Sequence, residues 1–141
     1  MKIYLCGCVT GAKSYDECNG WRNEAEKYFK GTEYEVLNPL RKGLWNNPKN
    51  NGDISVNQLV DRDLWDIKRC DILLVEAVHD DKNYFGTATE LLLAKQWHKP
   101  RIVFVGKERK ENKDPWLSWL STHICEDLEE ACEYISTTLC D

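Results

Sequence analysis

Several features are scarce in this chain, and each scarcity excludes a class of protein. No stretch approaches the roughly eighteen consecutive apolar residues that mark a membrane-spanning helix. Met1-Lys2 leads straight into strand-like sequence, so no signal peptide is expected. Positive charge is in deficit, with 19 Lys and Arg against 24 Asp and Glu and a formal net charge of −5. That balance argues against a broad electrostatic grip on a nucleic acid polymer or an anionic membrane. A pocket can still hold local charge of either sign, so a small polar ligand remains allowed. Metal-ligand spacings are missing as well. Cys6, Cys8, Cys18, Cys70, Cys125, Cys132 and Cys140 form no C-x-x-C, and His79, His98 and His123 show no ligand spacing with them. No metal site is expected. Single cysteines in odd number suit a reducing compartment, where Cys acts as a small buried hydrophobe, and a cytoplasmic protein is expected. Linkers, repeats and low-complexity tracts are absent too, so the 141 residues are expected to form one domain, 1–141.

What is present is organised around residues 71 to 106. An apolar run from Asp71 to Val78 has the length of a strand, and a polar loop from His79 to Tyr84 follows it. Phe85-Gly86-Thr87 leads into a helical pattern from Ala88 to His98, Pro100 stops it, and Arg101 to Val105 is a second apolar run. Strand, helix and strand in this order make a βαβ unit with parallel strands. Ligands in open α/β sheets bind beyond the carboxyl ends of the strands, where the loop 79–87 and Glu90 are expected.

The rest of the chain repeats the alternation. Lys2 to Cys6 reads as the first strand, and Gly7 to Gly11 follows as a glycine-bearing turn. That turn either lets backbone approach a ligand or is a plain βα connection. It is neither a P-loop nor a G-x-G-x-x-G fingerprint. Asp16 to Phe29 reads as a helix with Trp21, Ala25, Tyr28 and Phe29 on one face, and Tyr34 to Leu37 as a short strand. Asn38 to Asp53 is a long loop with Trp45 among amides. It is either a lid that could stack on a flat ring or an ordinary surface loop. A helix from Ser55 to Arg69 carries Val56, Leu59, Val60, Asp63, Leu64 and Ile67 on one stripe. A carboxylate in an apolar stripe needs a partner or a cavity, so Asp63 either pairs with Arg62 or Lys68 or lines a site. Asp114 caps a short helix with Pro115 at its first position, and Trp116, Leu117, Trp119 and Leu120 make that helix too apolar to stand in water alone. His123-Ile124 is a short fifth strand, and Glu126 to Leu139 a final amphipathic helix. The tally predicts an α/β fold: a doubly wound, five-stranded parallel sheet, flavodoxin-like or Rossmann-like.

Glu90 admits two readings. Thr87-Ala88-Thr89-Glu90 matches a capping box, in which Glu90 folds back onto the Thr87 amide. Alternatively, a carboxylate in a helix first turn, held ionised by the helix dipole, can attack an electrophilic carbon such as the anomeric carbon of a sugar. With Asp63 as the acid for the leaving group, the pair would perform a retaining glycosyl transfer.

KIYLCG at the first strand, Asn38-Pro39, the V-x-x-D-L-x-x-I-x-x-x-D-I-L-L-V run from Val60 to Val75, and FGTATELLLAKQWHKP from Phe85 together resemble the nucleoside 2-deoxyribosyltransferases. They also resemble the related 2′-deoxynucleoside 5′-monophosphate N-glycosidases, and the likeness spans nearly the whole chain in order. It implies an α/β enzyme that cleaves an N-glycosidic bond through a covalent deoxyribosyl-enzyme, with no metal or organic cofactor. Position by position, it implies Glu90 as nucleophile, Asp63 as the acid at the base, and Tyr4 as the hydroxyl that positions the nucleophile. Gly86 would allow close approach of the sugar. A homo-oligomer with shared active sites is implied as well. Six residues before the nucleophile, where the transferases carry an acid for the sugar and the nucleotide hydrolases a serine, this chain has Tyr84, with Asn83 and Asp81 nearby. The neighbouring subunit's asparagine falls on Pro115, beside Trp116. Substrate-binding candidates are therefore Gly7, Gly86, Tyr84, Asn83, Trp45 and Trp116. Only Lys13 and Arg22 are at hand for a 5′-phosphate, which favours nucleosides. The expected activity is transfer of 2-deoxyribose between a 2′-deoxynucleoside and a free nucleobase. The alternatives are an N-glycosidase releasing the base and a non-catalytic nucleotide-binding module.

Overall fold

The computed structural model describes residues 1–9, 12–41, 55–109 and 114–141. Strands and helices alternate along it: β1 (Lys2–Cys6), α1 (Tyr15–Phe29), β2 (Glu35–Leu37), α2 (Val56–Arg69), β3 (Ile72–Glu76), α3 (Phe85–Gln96), β4 (Arg101–Phe104), α4 (Pro115–Leu120), β5 (His123–Cys125) and α5 (Leu128–Thr138). The strands form one five-stranded sheet in the order β2-β1-β3-β4-β5, and every pair is parallel. This is the expected doubly wound architecture in its flavodoxin-like order, whose switch point lies between β1 and β3.

Side chains alternate across the strands, so each strand feeds two cores. Ile3, Leu5, Ile72, Leu74, Ile102 and Phe104 pack with Ala25 and Phe29 of α1 and Ala131, Cys132 and Ile135 of α5. Tyr4, Cys6, Leu73, Val75 and Val103 face the other way, onto Ile67 of α2, Leu91 and Ala94 of α3 and Leu120 of α4. Tyr4 and Cys6 therefore share one face of β1, towards α2 and α3. All seven cysteines are free, and six are buried, as small hydrophobes would be.

Local chemistry sets the helix starts. Ser14 caps α1 by accepting from the Glu17 amide at 3.1 Å. Ser55 and Gln58 close a reciprocal capping box on α2. Asp114 caps α4 through the Trp116 and Leu117 amides, with Pro115 at the first position as expected. Beyond α3, His98 takes φ 56 and the chain turns to Pro100. The start of the long loop after β2 is buried: Asn38 donates to Asn19 Oδ1 and Glu26 Oε1, both at 3.1 Å.

Three expectations need correction. The α2 stripe is not a core face, since Val56 is 64 % exposed and Val60 52 %, and only its Ile67 end is buried with the sheet. Tyr28 of α1 points outward rather than into the core. Helix α3 begins at Phe85, not Ala88, which places Thr87 inside the first turn instead of at its cap.

Candidate active site

The earlier start of α3 decides how Glu90 is held. Asn83 Oδ1 accepts from the Phe85 amide at 2.9 Å and Tyr84 supplies no side-chain cap, so no capping box forms around Thr87. Glu90 lies in the second turn, where its side chain reaches towards β1. Tyr4 Oη donates to Glu90 Oε1 at 3.1 Å, and Cys6 Sγ donates to Oε2 at 2.8 Å. Among the described residues each carboxylate oxygen thus has one donor, and both donors come from alternate residues of a central strand with 1 % exposure each.

Glu90 and Asp63 line a common cavity of about 480 Å³, within the range of roughly 300–1,000 Å³ usual for small-molecule sites. Gly7, Cys8 and Val9 form its β1 side, Gly86, Thr87 and Thr89 its α3 side, and Pro39 and Leu40 come from the loop after β2. The stripe Val56, Leu59, Val60 and Leu64 supplies an apolar wall. That role explains an apolar face left outside the core. A Cβ on Gly7 would come within 3.0 Å of Trp21 and 3.2 Å of Glu76, so no side chain fits there without displacing its neighbours.

Asp63 has both of the surroundings its sequence context suggested. It lines the cavity, and Arg62 Nη2 lies 3.5 Å from its Oδ1. Arg62 also donates to the Pro39 carbonyl, joining α2 to the loop after β2. Burial pushes Asp63 up to about 6, while the adjacent Arg62 charge pulls the other way. Burial pushes Glu90 up to about 7; the Cys6 bond opposes this, the Asp63 charge adds to it, and the Tyr4 bond opposes it again. The helix dipole therefore does not hold Glu90 strongly ionised, because desolvation is the larger effect. Burial raises Tyr4 and Cys6 well above their ordinary values, and the Glu90 charge adds to that, so both remain protonated donors.

The candidate residues divide into three groups. Glu90, Asp63, Gly7, Gly86 and Asn83 meet at the main cavity, with Tyr4 directly behind Glu90. Tyr84 and Trp116 instead line a second cavity of about 210 Å³, with His79 and Asp114. The Tyr84 hydroxyl donates to Glu76 Oε1 at 2.8 Å and accepts from the His79 amide at 3.0 Å, so it braces the β3–α3 loop. Trp45, with most of the 38–53 loop, lies outside the described residues. Arg22 is fully buried, donating to the Cys18 carbonyl and, at 3.1 Å, to the Gly7 carbonyl. It supports the β1–α1 turn from behind rather than offering charge to a phosphate. Among the described residues, the cation lining the main cavity is Arg62. Among them, too, no group of three or more His, Cys, Asp or Glu is placed to hold a metal, and no helix is long and apolar enough to cross a membrane.

Cys6, Arg62 and Glu76 did not stand out in the sequence as site residues. Glu76 ends an otherwise apolar strand yet is buried, accepting from the Val78 amide at 2.9 Å as well as from Tyr84. A charged residue closing a buried parallel strand was the available signal. For Cys6 the signal was its i+2 spacing from Tyr4.

Fold and site together define a class: a flavodoxin-like α/β protein with a carboxylate-bearing cavity at the β1/β3 switch point. No protein-family model matches the chain, and no curated protein matches its sequence. Solved structures do share its fold. A conserved protein from Enterococcus faecalis superposes with a TM-score of 0.72 at 13 % identity, covering 96 % of this chain and 97 % of the other. A 2-deoxyribosyltransferase from Bacillus psychrosaccharolyticus gives 0.67 at 21 % identity, covering 95 % and 92 %. A CMP N-glycosidase from Clostridium botulinum gives 0.62 at 16 % identity, covering 96 % and 98 %. At these identities the likeness establishes the fold, and two of these three structures belong to enzymes that are named for deoxyribosyl transfer or N-glycoside cleavage.

Proposed function

We propose that the protein is a nucleoside 2-deoxyribosyltransferase, moving 2-deoxyribose between nucleobases through a covalent ester on Glu90. The observation that carries the reading is the Glu90 carboxylate, held by Tyr4 and Cys6 in the same cavity as Asp63. An oxygen of ionised Glu90 forms a bond to C1′ as the C1′–N bond breaks, and the departing base takes the proton of Asp63. A second base then attacks C1′, its displaced proton returns to Asp63, and the ester oxygen leaves with its electron pair. Two displacements at one carbon give retention. The apolar wall from α2 suits the face of a base, and Asp63 suits its edge.

Hydrolysis is the second reading, in which water replaces the incoming base. It is favoured by Tyr84, which stands where the resemblance implies a sugar-binding acid and whose hydroxyl is engaged with Glu76. Incubating deoxyinosine with and without adenine separates the two. Transfer produces deoxyadenosine. Equal release of deoxyribose either way, with no deoxyadenosine, refutes it. Intact-mass analysis after mixing with deoxyinosine alone should show a deoxyribosyl adduct mapping to Glu90; a binding module would show ligand affinity with neither adduct nor turnover.

The reading extends to assembly. Trp116 is 72 % exposed and Trp119 52 %, their rings 6.4 Å apart on α4. A homo-oligomer that covers α4 and brings it to a neighbour's site would account for them. Sedimentation of a fully active monomer would refute this. A single-domain cytoplasmic enzyme of nucleoside salvage, needing no cofactor, is the setting we propose.

A further inference from the structure

We infer that Cys6 is a positioning residue for Glu90: its thiol proton, directed at Oε2, holds the nucleophile in its ionised form. The catalytic meaning of this rests on the reading above, but the contact can be tested without it.

The geometry has three parts. Cys6 lies two residues after Tyr4 on β1, so both side chains leave the same face of the strand. Tyr4 takes Oε1 at 3.1 Å and Cys6 takes Oε2 at 2.8 Å, so the carboxylate plane is pinned at both oxygens. A thiol has one proton, and the alternative acceptor, the Thr87 carbonyl, is 4.0 Å away. Were Cys6 an ordinary core filler, Oε2 would face a buried apolar side chain and the ionised form would be much costlier. The thiol is also protected from titrating itself, because burial and the Glu90 charge both raise its pKa.

The groups acting on Glu90 come from three other elements: Tyr4 and Cys6 on β1, Asp63 on α2, and the buried Arg22 on α1. Asp63 raises the proton affinity of Glu90, whereas Cys6, Tyr4 and Arg22 lower it. Cys6 acts again in the second half of the reaction. When the C1′–O bond of the ester breaks, the electron pair returns to Glu90, and a donor already aligned on that carboxylate favours its departure.

The test is a carbon-13 titration of glutamate carboxyl groups in the unliganded protein, with the Glu90 signal identified by its loss in Glu90→Gln. Cys6→Ala should raise the proton affinity of Glu90 about tenfold, moving its midpoint up by about one pH unit. Cys6→Ser keeps a donor of nearly the same size and greater strength, and should bring the midpoint below that of the parent. A midpoint that is unchanged or lowered in Cys6→Ala overturns the inference, since a space filler would only admit water. If Cys6→Ala does not fold, Cys6→Val gives the same comparison at nearly native volume. If neither folds, Cys6→Ser decides alone: a lowered midpoint supports the role, and an unchanged or raised one overturns it. A parent protein that titrates as expected yet transfers no deoxyribose would sink the proposed function and leave this contact standing.

Discussion

Asp63 Oδ1 and Arg62 Nη2 stand 3.5 Å apart at the wall of the main cavity, on consecutive residues of α2. Their side chains remain 28 % and 21 % exposed, so the pair is partly screened. Its effect is on the acid: Arg62 holds the Asp63 proton less tightly than burial alone would. Arg62→Met should therefore raise kcat/KM on the alkaline side of its profile, where the protonated fraction of Asp63 limits the rate, by up to about tenfold. Arg62→Lys keeps the charge but gives up the fork that also reaches the Pro39 carbonyl, so its alkaline-side kcat/KM should stay near the parent's. An alkaline side unchanged in both variants would show that Arg62 acts only as a clamp on the loop after β2.

The order of the two carboxylates predicts the shape of the whole pH profile. The group that must be ionised, Glu90, titrates at about 7, and the group that must be protonated, Asp63, at about 6. The productive protonation state is thus a minority at every pH, most populated between these two values. A bell-shaped kcat/KM centred near pH 6.5 is expected, with limbs belonging to the coupled pair rather than to either residue. A profile flat from pH 5 to pH 9 would contradict the assignment.

The same burial has a consequence for stability. A carboxyl whose folded pKa is raised binds its proton more tightly when folded, so stability falls as pH rises from its unfolded value towards its folded one. For Glu90 that window runs from 4.5 to about 7. Glu90→Gln removes the charge that must be desolvated, at the expense of one well-matched acceptor. Thermal melts should show the variant gaining on the parent between pH 5 and pH 8, by at most about 3 kcal/mol. A constant difference across that range would mean that Glu90 is better solvated than its surroundings indicate.

Much of this was legible in the chain because the relevant signals are periodic. The strand–helix alternation from Lys2 onward set the number of strands and their parallel arrangement, and Asp114-Pro115 marked the start of α4. Periodicity cannot say what an apolar stripe faces, however. Val56 and Val60 repeat like core residues and instead line a cavity. Thr87-x-x-Glu90 has the spacing of a capping box, but Asn83 accepts from the Phe85 amide and starts the helix one turn earlier. Tyr84 occupied a position expected to meet the sugar, while the depth of Glu76 at the end of β3 draws its hydroxyl away. Cys6 was hidden because one cysteine in a strand reads as a hydrophobe; only the packing of α3 against β1 gives it a partner.

Tyr4 offers the most conservative perturbation of the nucleophile. Phenylalanine preserves the ring, which is 1 % exposed, and removes only the donor to Glu90 Oε1. A hydrogen bond to a charged group contributes about 1.5–3 kcal/mol, so Tyr4→Phe should lower kcat/KM by roughly ten- to a hundredfold. The deficit should be largest below pH 7 and shrink at higher pH, where Glu90 ionises without help. A loss independent of pH would point to substrate placement instead.

Asp63 can be separated from Glu90 by the leaving group. General acid assistance is worth roughly 10²–10⁴-fold, and it matters least for a base that departs readily without a proton. Asp63→Asn should therefore lose a large factor on deoxyadenosine and deoxyinosine, and much less on a deoxynucleoside whose base carries electron-withdrawing substituents. Glu90→Ala should be impaired to the same extent on both substrates, because no leaving group replaces the missing nucleophile. Measuring initial rates of base release for the two variants on both substrates makes the comparison. If Asp63→Asn loses as much on the activated substrate as on the ordinary ones, Asp63 holds the substrate or the loop rather than delivering a proton.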